Sequence, residues 1–423
     1  MSSSQSHFLD KFCEIFELYS YGNIYYGRLC GHVLLGQALK TCRIYFGPIY
    51  IDPRISIFIV QPSGTGKSTP WGYIYQVAKQ AGIKVEDIDE ATDAALIGTI
   101  EQEEVIDPET RTKKTVYNKV TGKLATAEIL HYDEGHMLIE RKSYALNTLT
   151  WFQKALNPIG SEQNRCTKNL AHGTIDFYPS CSLIITSHPI KNLLESVLDT
   201  GFFQRIVLYP RDIPISERQG LEFLRADRLG KRVYTEPNIK ELGEELQKIR
   251  AKYLKKEVVF DSQVKPIVKS KIRALYNLIK PAHPQVREIM ATFIPRYNNF
   301  LYTFAFHHCC DRYGNVVKAQ DINYAYGLVY VLFRELMSWV EETADFYKLG
   351  SKDYAYLRQA SNIFHKMKKN PNGYVMRMKF MKVCAEKWKV SMPTVAKYLD
   401  KFKGYGKLKE LEKGGVKYIK VEV

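Results

Sequence analysis

Three runs of consecutive apolar residues stand between polar turns: ISIFIV at 55–60, EILHYD at 128–133 and CSLIIT at 181–186. Continuous runs of this length predict strands buried on both faces of a parallel sheet. Helical patterns separate them, so residues 51–213 predict a three-layer α/β domain. Residues 1–50 read as a helical segment ending in the strand-like IYFGPIYI. From 214 to 347 the strand signals fade. Stretches such as NIKELGEELQKIRAKYL and FIPRYNNFLYTFAFHH predict a helical bundle there. The segment KLGSKD at 348–353 reads as a linker. Beyond it, residues 351–423 carry three helical patterns and a final hairpin pattern closed by Gly414-Gly415.

Composition narrows the picture. The chain has 423 residues and is 45% hydrophobic, which supplies core for two to three domains. It has no apolar run of about 18 residues, so no membrane span is expected. The start, MSSSQSHFLDKFCEIF, lacks a basic head followed by an apolar stretch. That predicts no secretory signal and a cytoplasmic location, the host cytoplasm if the source is a virus or plasmid. The cysteines form no C-x-x-C pair and read as reduced, buried thiols. HHCCD at 307–311 has metal-binding residue types, but adjacent helix positions point about 100° apart, which favours core packing.

The net charge is +16, and its location is more telling than its size. Residues 351–423 hold 18 Lys and Arg against 6 Asp and Glu, a net +12. That predicts a polyanion-binding module on a nearly neutral body.

The first apolar run leads into Gln61, Pro62, Ser63, Gly64, Thr65, Gly66, Lys67, Ser68 and Thr69. The spacing fits G-x-x-x-x-G-K-[ST], with Gln61 in place of the first glycine. Gly64 and Gly66 let the backbone wrap so that amide N–H groups point at phosphate oxygens. Lys67 would sit against the β- and γ-phosphates of ATP, and the Ser68 hydroxyl would ligate Mg²⁺. Pro70 falls in the first turn of the following helix, where a missing N–H does no harm. The second run ends in Asp133-Glu134. Asp133 would hold Mg²⁺ through water, and Glu134 would polarise the attacking water.

With these residues in order, the chain resembles the AAA+ ATPases. The likeness is to the helicase-like branch that includes the MCM replicative helicases and the primase-helicase ATPases of viruses and mobile elements. It covers about residues 20–345 and follows the order QPSGTGKS, LHYDEG, CSLIITSHP, GFFQRIVL. The resemblance implies a P-loop AAA+ core at 51–213 and a helical lid at 214–347. It gives a sensor 1 role to the end of the third run, with Thr186 and Ser187 beside His188; the branch often has Asn at the position of His188. It makes Arg205 an arginine finger reaching a neighbouring subunit's site, and Arg296 the sensor 2 arginine. It therefore implies a homo-oligomer, a hexameric ring.

Two further segments bear on DNA. NRCTKNLAHGTIDFYP at 164–179 reads as two strands around a turn. Relatives in the branch place a pore hairpin here, which makes Lys168 and His172 candidates for tracking single-stranded DNA. VIDPETRTKKTVYNKVTGK at 105–123 reads as a second hairpin, facing DNA, another subunit or solvent. The basic segment 351–423 looks like a winged helix. Ser391 would cap its third helix, with Val395, Leu399 and Phe402 inward. Thr394, Lys397, Tyr398 and Lys401 are expected outside, against duplex DNA.

The leading expectation is an ATP-hydrolysing DNA translocase or helicase of a replication system. A replication initiator or helicase loader would use the same ATPase as an assembly switch. A winged-helix DNA-binding protein with a decayed loop would need no hydrolysis, and Gln61 is its only support.

Overall fold

The computed structural model describes residues 7–20, 24–46, 49–67, 70–88, 92–106, 111–138, 147–189, 201–211, 213, 215–227, 236–404 and 407–421. Two helices, Phe8–Ser20 and Ile24–Ala38, precede β1 (Arg43–Phe46) and β2 (Ile49–Tyr50). β3 (Ile57–Val60) runs into the glycine loop and the helix Trp71–Gln80, followed by β4 (Val85–Asp87). β5 (Gly98–Ile106) and β6 (Lys113–Thr121) form a hairpin ahead of β7 (Ile129–Tyr132). A second hairpin, β8 (Cys166–Leu170) and β9 (Gly173–Phe177), precedes β10 (Ser182–Ser187), and β11 (Val207–Pro210) follows.

These strands build a five-stranded sheet in the order β11-β3-β10-β7-β4. Every pairing in it is parallel. All residues of β3, β7, β10 and β11 are buried, so both faces of the sheet are covered. This is the arrangement that the continuous apolar runs require. The chain is mixed α/β, as expected.

The loop strand β3 and the acidic strand β7, consecutive among the three apolar runs, are not side by side in the sheet. β10 lies between them and pairs with both.

The N-terminal segment is not a separate layer. β1 pairs in parallel with β12 (Glu257–Phe260), which pairs with β13 (Val316–Val317). A small second sheet, β13-β12-β1-β2, thus draws strands from both the N-terminal and the helical regions. Glu128, at the entrance to β7, accepts from Lys40 at 2.5 Å and Arg250 at 2.6 Å. The same two regions are thereby fastened to the main sheet.

HHCCD packs as core. Cys309 and Cys310 are buried, and His307 Nε2 lies 2.7 Å from the Pro53 carbonyl oxygen. Asp311 accepts from the Phe8 and Leu9 amides and so caps the first helix. All eight cysteines are free and buried.

The chain divides into two compact units, Met1–Trp339 and Val340–Val423. The helix Ala319–Lys366 runs through 348–353, where the sequence suggested a linker. Only Gly350 disfavours helix in KLGSKD, by about 1 kcal/mol, and one such residue does not end a helix. The second unit adds the helices Arg377–Trp388 and Met392–Gly404 and an antiparallel sheet of β14 (Val375–Met376), β15 (Leu408–Lys413) and β16 (Val416–Val421). Gly414 and Gly415 have φ of +60° and +74°, as a tight β15–β16 turn requires. Its core includes Phe364, Phe380, Val395, Leu399, Phe402 and Ile419. No helix among the described residues is long and apolar enough to cross a membrane.

Candidate active site

The loop after β3 takes the shape its glycines predict. Gly64 and Gly66 have φ of +77° and +76°, in the left-handed region where side chains are strained. Gln61, Pro62, Thr65 and Gly66 are buried, while Ser63 and Gly64 are exposed. Thr65 Oγ1 donates to Pro62 O at 2.8 Å and lies 3.5 Å from Gln61 Oε1. The Gln61 amide donates to Ser187 O at 3.1 Å, which ties the loop's start to the end of β10. Lys67 Nζ donates to Pro62 O at 3.0 Å, closing the loop across its base. Ser68 and Thr69 lie outside the described residues.

The acids converge on the same edge. Partial burial lowers the pKa of the Lys67 ammonium, and the negative charges of Asp133 and then Glu134 oppose that shift. The ammonium therefore lies within electrostatic reach of both carboxylates. Thr186 Oγ1, on β10, donates to Asp133 Oδ1. The intervening strand therefore holds the acid in place. Ser187 Oγ donates to His188 O at 2.8 Å, and Ser187 itself is buried. His188 is exposed, and its ring centroid lies 4.1 Å from that of His136. His136 Nδ1 lies 2.9 Å from Glu134 Oε2.

Arg205 and Arg296 lie elsewhere, and together. Both line a cavity of about 140 Å³ with Asp52, Arg54, Asn157 and Thr303. Arg205 donates to Asn157 Oδ1 at 3.0 Å and to Gly201 O at 2.6 Å. A Cβ on residue 201 would stand 2.5 Å from the Arg205 guanidinium, so a side chain there would push the guanidinium aside. Burial, then the charge of Arg296, lower the pKa of Arg205. Arg54 is buried and pairs with Asp52 at 2.6 Å, so the acid of this cavity is already committed. The cavity opens at the amino end of the sheet, because Val207 pairs with Ile57 and Arg205 precedes it. The Lys67 loop leaves the carboxyl end of the same strand.

The two hairpins form one surface. The β8–β9 turn falls at Ala171-His172, as expected. His172 stacks on Tyr117 of β6 with ring centroids 4.1 Å apart. Lys119 Nζ donates to Thr174 O at 2.8 Å. Lys168 is half-buried in β8.

In the second unit, Lys397 and Lys401 are exposed, and Lys401 pairs with Asp353. Thr394 is half-buried and hydrogen-bonds Ser391 through their hydroxyls at 2.9 Å. Tyr398 is a correction. It was expected outside but packs against the core, 4.7 Å from the Tyr356 ring and 6.2 Å from that of Phe402. Phe402 lies four residues on, and the wide apolar stripe of a packed helix includes that neighbouring position.

No protein-family model and no curated protein sequence matches the chain.

Several contributors escaped the sequence reading. Tyr26 OH donates to Lys67 O at 2.9 Å. Trp71 stacks on His131 with centroids 3.8 Å apart, and His131 Nδ1 lies 2.7 Å from Asp87 Oδ1. That stack fixes the start of the post-loop helix on β7. Side chains two apart on a strand share a face, so Thr186 and His188 belong together and Ser187 faces away. That alternation was the available signal for separating Thr186 from Ser187, which the sequence reading had placed together beside His188. His136 carried only its position two residues after Glu134.

Proposed function

We propose that this chain is an ATP-hydrolysing DNA translocase or helicase of a replication system, working as an oligomeric ring of the AAA+ kind. The observation that carries the reading is the gathering of a lysine-bearing, left-handed-glycine loop, two carboxylates and the polar end of β10 at one edge of a parallel sheet. Open α/β sheets take their ligands at the carboxyl ends of the strands.

In this reading the amides of the 61–67 loop hold phosphate oxygens. Lys67 leaves the Pro62 carbonyl for the β- and γ-phosphates. Asp133 is exposed and fixed by Thr186, so it would hold Mg²⁺ through water, with the Ser68 hydroxyl as the direct ligand. Bound Mg²⁺ would neutralise phosphate charge. Glu134 accepts a proton from the attacking water, and His188 contacts the water or the γ-phosphate.

Arg205 and Arg296 cannot serve the nucleotide of their own chain from the opposite edge. Two guanidiniums facing a cavity whose acid is already paired suit an anion brought by another copy. That is the support for a ring in which each site is completed by a neighbour. Lys168 and His172 on the joined hairpins would grip one DNA strand in the pore. The second unit, read as a winged helix, would place Lys397 and Lys401 on duplex phosphates.

The deciding experiment measures ATP hydrolysis with and without single-stranded DNA, and strand displacement on a forked duplex. Particle size is followed with a non-hydrolysable ATP analogue. DNA-stimulated turnover with displacement and ring-sized particles is the expected result. Duplex binding without any turnover would leave only the DNA-binding protein.

A further inference from the structure

Glu134 and His188 form a cluster with His136, a residue that phosphate chemistry does not require. One ligand atom from each of Glu134, His136 and His188 lies within 4.8 Å of the others. We propose that these three side chains bind a divalent transition-metal ion of the imidazole-preferring kind, Zn²⁺ or Co²⁺, and that its occupancy withdraws Glu134 from hydrolysis. The first half stands on the cluster alone; the second rests on the ATPase reading.

The donor set is two imidazoles and one carboxylate. Zinc commonly takes three protein ligands of this kind and keeps a fourth position open. Tetrahedral bonds of about 2.0–2.1 Å put ligand atoms roughly 3.3 Å apart. His136 Nδ1 and Glu134 Oε2 are already 2.9 Å apart, so modest side-chain rotation closes the set. The supporting backbone is tight. His136 lies on the single turn Gly135–Leu138 directly after the acids. A Cβ on residue 135 would stand 2.7 Å from Ile185 Cγ2 and 3.1 Å from Thr186 O. That turn is thus pressed onto β10, the strand that ends at His188. Glu134 and His188 are exposed and His136 is half-buried, so an ion has a path in.

Ligand type separates this site from the Mg²⁺ position at Asp133. Mg²⁺ prefers oxygen donors and retained water, whereas imidazole favours zinc, cobalt, nickel and copper. A Glu134 carboxylate that donates its lone pair to a metal no longer takes a proton from water. Hydrolysis would stop while the loop still holds nucleotide.

The test uses the full chain without an affinity tag, first free of nucleotide and Mg²⁺. Co²⁺ is titrated and followed by visible absorption, then displaced by Zn²⁺. One equivalent with no thiolate charge-transfer band is expected. His136→Gln and His188→Gln should each weaken binding by about tenfold or more. His365→Gln, at an exposed site in the second unit, should leave it unchanged. Absence of a Co²⁺ spectrum, a thiolate band, or indifference to both His136→Gln and His188→Gln overturns the site. Circular dichroism checks each variant; if His136→Gln fails to fold, the exposed His188 decides. In a second arm, Zn²⁺ is titrated into Mg·ATP turnover, and the half-inhibiting concentration should rise about tenfold in His136→Gln. Co²⁺ binding through both histidines in a chain that never hydrolyses ATP retains the site and removes the ATPase reading. Turnover with no histidine-dependent Co²⁺ binding does the reverse.

Discussion

The two edges of the main sheet carry opposite charge imbalances. At the carboxyl edge one ammonium, Lys67, faces two carboxylates, Asp133 and Glu134. At the amino edge two guanidiniums, Arg205 and Arg296, share a cavity whose acid is taken by Arg54. Arg205 precedes Val207, which pairs with Ile57, and the loop begins after Val60, so the four residues of β3, roughly 13 Å at 3.3 Å per residue, separate them. Each edge supplies what the other lacks. An acidic pair can hold a metal and polarise water, but it cannot stabilise the charge that develops on a phosphoryl group. Two partly desolvated arginines can do that for an anion that arrives from outside. In the proposed reading, the comparison makes the unit of function larger than one chain.

The largest effects should come from the carboxyl edge. Lys67→Ala should abolish phosphate release and weaken nucleotide binding. Glu134→Gln should bind ATP and fail to cleave it, because the amide accepts no proton from water. Equilibrium binding and phosphate release, measured side by side, distinguish the two. Turnover that survives both substitutions removes the hydrolytic reading of this edge.

The amino edge should come next. Arg205→Ala should lower turnover by about 10³, the smaller end of what an arginine contributed in trans supplies. Mixed with Lys67→Ala, it should recover part of the lost activity. Each variant keeps intact the edge that the other has lost, so some interfaces in a mixed assembly are complete. No recovery at any ratio would break the comparison, since both arginines would then serve structure alone. Arg296→Ala should lose less than Arg205→Ala and recover in the same mixing test.

Much of the carboxyl edge was legible because its signals are local. Buried parallel strands are continuous apolar runs, and the glycines and the acids follow those runs directly. The amino edge was not legible as an edge. Arg205 and Arg296 are far apart in sequence, and only the fold shows that they face one cavity. The small second sheet failed for a related reason. EVVF at 257–260 is a four-residue strand in a helical region, and its partner β1 is far away in sequence. Such a strand is specified by its partner and carries little pattern of its own. The order of β10 and β7 was equally hidden, since motif order along the chain does not fix strand order in a sheet. Tyr398 shows the limit of a helical wheel. The wheel separates the centre of a buried stripe from its opposite face, but the flank is decided by what packs beside it, here Tyr356 and Trp388.

The smallest effect sharpens the comparison most, because it separates holding from chemistry at the carboxyl edge. Tyr26 is buried on the helix Ile24–Ala38, and its hydroxyl donates to the Lys67 carbonyl from outside the loop. Its ring packs edge-on against Phe16, with centroids 5.2 Å apart, so Tyr26→Phe keeps the packing and removes only the hydroxyl. A hydrogen bond of this kind contributes about 0.5–1.5 kcal/mol net. The loss should fall on the loop conformation that places Lys67, not on Glu134 or the water it activates. Nucleotide KM should therefore rise by about two- to tenfold, with kcat at saturating ATP unchanged. A lowered kcat at constant KM would instead mean that the hydroxyl acts on the reacting groups.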